Sequence, residues 1–202
     1  FGMYLKDSVN NVYENTDFDI AYTNYQYSNK VRNEIDKEIY KDILALDEIR
    51  QGSIIKKMNS SVNFEKENVS DVHYTSMVEY GIVNDGEDLS VEAIINFVDH
   101  DTFIDYLDDT GLEEAQVNRN DRPSAIIIDM QHYYNVQEER YNNIKLLKDE
   151  SLDSFTMEYV DENNSNKELE VEIAAFAEVA PFGLSDYTYM NDISVIIDES
   201  QL

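Results

Sequence analysis

The chain has no cysteine, and that one absence removes disulfides, thiolate metal sites and cysteine nucleophiles together. With 202 residues it is long enough to bury a core without staples, so the absence suits either the cytoplasm or the outside of a Gram-positive cell. Tryptophan is missing and proline occurs twice. Beside a surplus of Asn, Ile, Lys, Glu and Tyr, that is a composition associated with AT-rich bacterial genomes. No apolar run approaches the roughly 18–20 residues that span a bilayer. Cations are scarce, with 15 Lys and Arg against 43 Asp and Glu, a formal net charge of −28. Such a field repels nucleic acid and anionic headgroups, draws cationic peptides and divalent ions, and keeps a domain soluble. The chain begins at Phe1 with no signal-peptide pattern, and reads as a piece excised from a longer protein.

What is present argues for a folded domain. Hydrophobic residues make up 42% of the chain and aromatics 11%, too many for disorder despite the charge. Residues 17–57 read as strand, helix, strand. FDIAYTN alternates as a half-buried strand does, Ser28 or Asn29 caps a helix with Val31, Ile35, Ile39 and Ile43 in one stripe, and IRQGSIIKKM returns to a strand pattern. Residues 1–16 form a loosely helical lead-in. NSSVNFEKENVS (59–70) reads as a loop, VHYTSMVEYGIV (72–83) as a strand rich in β-branched and aromatic residues, and NDGED as a turn.

A second strand–helix–strand unit follows. VEAIINFV (91–98) is its first strand. Asp99 or Asp101 caps the helix DTFIDYLDDTG, Phe103, Ile104, Tyr106 and Leu107 face inward, and Gly111 supplies the stop. After the loop EEAQVNRNDRP, SAIIIDM (124–130) has the short continuous apolar run of a central strand. Segments 141–148, 153–160 and 167–180 alternate as hairpin strands with DENNSN (161–166) as a turn, and DISVIID (192–198) is the last strand. The expected fold is α+β: a mixed β-sheet of two strand–helix–strand units plus C-terminal antiparallel hairpins, helices packed on the sheet. Its domain is 17–202, divisible into lobes 17–90 plus 165–202 and 91–164.

No segment carries a strong chemical signature. Asp161, Asn163, Ser165 and Glu172 fall at positions 1, 3, 5 and 12 of an EF-hand-like calcium loop, but Asn166 replaces the required glycine and both flanks look like strands. A solvated hairpin turn is the better reading. His73, His100 and His132 are scattered, with no HxxxH or HxH spacing; His100 and His132 are placed to meet near Asp99 and Asp129 only if those residues close neighbouring strands. GxSxG, P-loop and GxGxxG motifs are absent from the sequence, and acid pairs such as Asp108 and Asp109 are ordinary among 43 acids. Fifteen tyrosines include Tyr22, Tyr25, Tyr27, Tyr133 and Tyr134, which suit either contact surfaces or half-buried strands. No catalytic, cofactor-binding or metal residue is assigned.

Three stretches carry a resemblance: FDI with its charged helix and ILALDEIRQGSIIKK; INFVDHDTFIDYLDDTGLEEAQVNRNDRPSAIIID; and EVEIAAFAEVAPFGLSDYTYMNDISVIID. Taken in order they are similar to the extracytoplasmic domain of FtsX-like, MacB-type ABC transporter permeases, most closely those of Gram-positive Firmicutes. The resemblance implies an extracellular α+β domain of a membrane protein, with flanking transmembrane helices, no catalysis and no cofactor of its own, and ATPase activity in a separate cytoplasmic subunit. It further implies a cationic peptide or a cell-envelope protein as ligand, as in antimicrobial peptide efflux or sensing. A secreted or surface-anchored adhesion module, with or without calcium, suits the acids and tyrosines as well.

Overall fold

In the computed structural model the described residues are 37–117, 122–135, 140–148, 152–160, 164–184, 186, 188 and 191–201. Strand β1 (Ile55–Phe64) places Ser60, Val62 and Phe64 on its buried side and Asn59, Ser61 and Asn63 in water. All ten of its residues are in antiparallel register with β2 (Leu89–Val98), from Ile55 opposite Val98 to Phe64 opposite Leu89. The apparent loop NSSVNF is therefore the second half of a strand. Its small polar residues fit because alternate ones face water and the buried Ser60 donates its hydroxyl to the Ala93 carbonyl at 2.8 Å.

Strand β8 (Asp192–Asp198) runs parallel to β2, and β3 (Ser124–Ile128) runs antiparallel to β8. Next come β7 (Asn166–Phe176), parallel to β3 across a bulge between Ala125 and Ile126, and β6 (Ser154–Val160), antiparallel to β7. Strand β6 then meets β1 at Ser61 and Glu158, closing a six-stranded barrel in the order β1-β2-β8-β3-β7-β6. The mixed α+β class expected from the sequence is present, but its sheet is closed. In the second strand–helix–strand unit, β2 and β3 run in opposite directions with β8 between them, so the unit is no βαβ crossover. Strands from both ranges, 17–90 plus 165–202 and 91–164, share this barrel. Strands β4 (Met130–Asn135) and β5 (Arg140–Lys145) form a separate hairpin.

Inside the barrel, Val62, Phe64, Ile95, Ile127, Met157 and Val195 belong to one buried cluster, to which helix α2 (Asp71–Glu79) adds Tyr74 and Met77. Residues 72–83 are thus not a strand. The Ser70 hydroxyl accepts from the His73 amide at 3.4 Å and donates to the Lys145 carbonyl at 2.7 Å, which starts a helix. The spacing of His73, Tyr74 and Met77 then puts all three on one buried face. Burial of that face outweighs the local β-propensity of the segment.

Outside the barrel, α3 (His100–Thr110) packs Phe103, Tyr106 and Leu107 against Val98, Ile126, Ile128 and Ile196. Asp99 is its N-cap, accepting from the Thr102 amide at 3.1 Å, and Gly111 ends it at φ 71. In the described part of the loop after it is a short helix, α4 (Glu114–Val117), whose Val117 is buried.

Of the opening 17–57 unit, FDIAYTN, the helix before residue 37 and the 1–16 lead-in lie outside the described residues. The described helix ahead of β1, α1 (Lys37–Leu44), does not bury the predicted stripe: Ile39 and Ile43 are 56% and 45% exposed. Its Tyr40 and Leu44 side chains lie over Gly52 instead, where a larger residue would require the Leu44 side chain to shift. A Cβ at Gly52 would stand 2.6 Å from Leu44 Cδ2.

Candidate binding surface

The outer wall of the barrel has two sides. Helix α3 covers β8 and β3, whereas β1, β6 and much of β7 turn polar side chains outward with no helix over them among the described residues. Register fixes what that bare side presents. Asp192 is opposite Glu92, Glu92 opposite Ser61, Ser61 opposite Glu158, and Glu158 opposite Glu168. Four carboxylates and one hydroxyl thus form a row across five adjacent strands, roughly 19 Å long at about 4.8 Å per strand. One step along the strands Glu170 is paired with Arg122, while among the described residues Glu92, Glu158 and Glu168 make no ion pair. Like charges directly opposite each other destabilise a ladder, so the row is not explained by the fold's own stability.

The Asp192 end of the row is held firmly. Asn191 stands in the left-handed region at φ 69, its amide donating to Gln131 Oε1 at 2.7 Å and its side-chain Nδ2 to the Ser90 carbonyl at 2.9 Å. Gln131 Nε2 in turn donates to Thr188 Oγ1 at 2.9 Å and to the Asp192 carbonyl. Burial, and then the neighbouring Glu92, push the Asp192 carboxyl up to about 6. Behind Asn191, the almost completely buried His73 is pulled down to about 4 by burial, which Asn191 partly offsets.

At the other end of β8, His100 Nδ1 lies 2.7 Å from Asp198 Oδ2. Asp198 is 1% exposed, its second oxygen accepts from the Ser200 amide at 2.9 Å, and the His100 side chain is 49% exposed. The hydrogen bond to Asp198 is the main cause raising the His100 pKa. Such a pair is able to accept and donate protons, yet among the described residues no hydroxyl is hydrogen-bonded to the ring's other nitrogen. His132 bonds Asn143 Oδ1 at 2.8 Å on the β4–β5 hairpin. His100 and His132 therefore do not meet: β2 and β3 run in opposite directions with β8 between them, so Asp99 and Asp129 close strands at opposite ends of the barrel.

Among the described residues no three His, Asp or Glu side chains are grouped to hold a metal ion. The described part of the 161–172 segment runs as a strand from Asn166 rather than curling into a loop. Strand β7 is already extended at Asn166, which carries Glu172 about 20 Å along the sheet at ~3.3 Å per residue, whereas calcium ligands converge within about 2.6 Å of one ion. Asp161 and Asn163 lie outside the described residues, as do Tyr22, Tyr25 and Tyr27. Tyr133 and Tyr134 are on β4, in register with Asn142 and Tyr141, and Asp108 and Asp109 are exposed on the last turn of α3.

The acid row was missed by sequence reasoning, because each acid looks ordinary alone. Its signal lay in the alternation of TMEYV and KELEVE across the 161–166 turn, which sets Glu158 against Glu168. No family model, no curated protein and no solved structure matches this chain.

Proposed function

We propose that this chain is a non-catalytic binding domain that holds a cationic peptide, or a cationic segment of an envelope protein, against the bare side of its barrel. Its setting is the extracellular side of an FtsX-like ABC permease served by a separate cytoplasmic ATPase, as the sequence resemblance implies. The observation that carries the binding role is the unneutralised row Asp192, Glu92, Glu158 and Glu168 on a chain of net charge −28. Carboxylates in a row with no paired cation among the described residues favour a partner that brings cations, and steer it by long-range attraction.

Calorimetry with a lysine-rich octapeptide tests the role. We expect micromolar binding that weakens steeply between 50 and 300 mM salt, and that falls about ten-fold in E158Q/E168Q but not in D105N/D108N on α3. Equal loss in both variants, or no binding, overturns the reading. The setting is tested separately by the full-length parent: membrane-spanning segments on both sides and a neighbouring ATPase gene are expected. A signal peptide with a wall anchor places the same surface on an adhesion module instead.

A further inference from the structure

We propose that the junction of β1 and β6 is an entry for an additional strand, and that an extended cationic segment docks there by pairing its backbone with the barrel. The proposal rests on the acidic-wall reading and adds the binding mode. All ten residues of β1 are in register with β2 and all seven of β6 with β7, but β1 and β6 share one register pair, Ser61 with Glu158. Both strands are described over their whole length, so the short pairing belongs to the junction itself. What closes it is packing inside the barrel, where the rings of Phe64 and Phe155 meet edge to face at 5.7 Å and 70°.

A closed barrel with one weak join resembles a sheet edge that has been covered rather than removed, and edges of this kind template the pairing of added strands. Charge selects the occupant. Glu92, Glu158 and Glu168 flank the join on the outside, so an incoming segment that alternates cations with apolar residues sets its cations over carboxylates. Its apolar side faces the interior beside Phe64 and Phe155. A second copy of the chain would instead bring a further −28 of like charge.

Two peptides of equal charge separate the modes: eight residues alternating Lys with Val, which can form a ladder, and eight alternating Lys with Pro, which cannot donate at every second position. The Lys-Val peptide is expected to bind about ten-fold more tightly, the worth of two or three net hydrogen bonds. It is also expected to slow amide exchange in 59–63 and 156–160. An N63C/T156C crosslink, one step from the Ser61–Glu158 pair, keeps every carboxylate and is expected to erase the difference between the peptides. Equal affinities with salt-sensitive binding overturn the added strand and leave the acidic wall standing, while absence of binding by both peptides overturns both. If the crosslink does not form, unchanged exchange in 59–63 and 156–160 on adding the Lys-Val peptide overturns the strand by itself. A dimer in sedimentation without peptide identifies a second copy as the occupant and also overturns it.

Discussion

The covered and bare sides of the barrel wall are made of the same kind of ladder but of different sequence. On the covered side, β3 is buried along its whole length and β8 nearly so, because one face meets the interior and the other meets α3; both segments read as near-continuous apolar runs. On the bare side, β1 and β6 alternate. The covered side buries both faces of its strands, the bare side only one. The bare side places like charges opposite each other and gives up a little stability for a surface.

The largest expected effect tests that division directly. Phe103 and Ile126 are almost wholly buried between α3 and the wall, so F103A or I126A is expected to lower unfolding free energy by about 3–5 kcal/mol in urea titrations. The corresponding truncation on the bare side, T156A, should stay within about 0.5 kcal/mol. Comparable losses on the two sides would break the comparison.

The next effect concerns the capped end of the interior. The folded protein binds a proton at His73 only near pH 4, while the unfolded chain binds one near its ordinary value of 6.5. The contribution of His73 is therefore fully present above pH 6.5 and is lost as pH falls towards 4, on the order of 3 kcal/mol. Denaturant midpoints measured from pH 7.5 to 4 for the wild type and H73L should diverge at neutral pH least and in acid most, with H73L the less pH-sensitive. Parallel curves would mean that His73 is not the group lost to acid.

Legibility in the sequence follows the same division. The strands at 124–128 and 192–198, the Asp99 cap, the Gly111 stop and the 154–176 hairpin were readable because each depends on neighbours within a few residues. The closure was not, since it requires β8 to insert between β2 and β3 and β6 to meet β1, Glu158 opposite Ser61, from nearly a hundred residues away. VHYTSM was misread because its aromatic and β-branched residues argue for a strand, and the Ser70 cap that decides for helix is one short signal against them. The acid row needs the register of five strands at once, which no single segment carries.

The smallest effect sharpens the bare side at its Asp192 end. A carboxyl raised to about 6 holds its proton more tightly in the fold than in the unfolded chain, whose ordinary value is 3.8. Stability from this group is thus present in acid and is lost as pH rises from about 4 through 6, the reverse of His73. Because the side chain is partly in water, screening reduces the gain from D192N at pH 7.5 to about 1 kcal/mol. E92Q removes the like charge but not the burial, which is the larger cause, so it should lower the Asp192 midpoint only in part when the carboxyl is followed by NMR. A midpoint in E92Q equal to that of the wild type would mean that the two carboxylates do not sense each other, and that the row is four separate charges rather than one field.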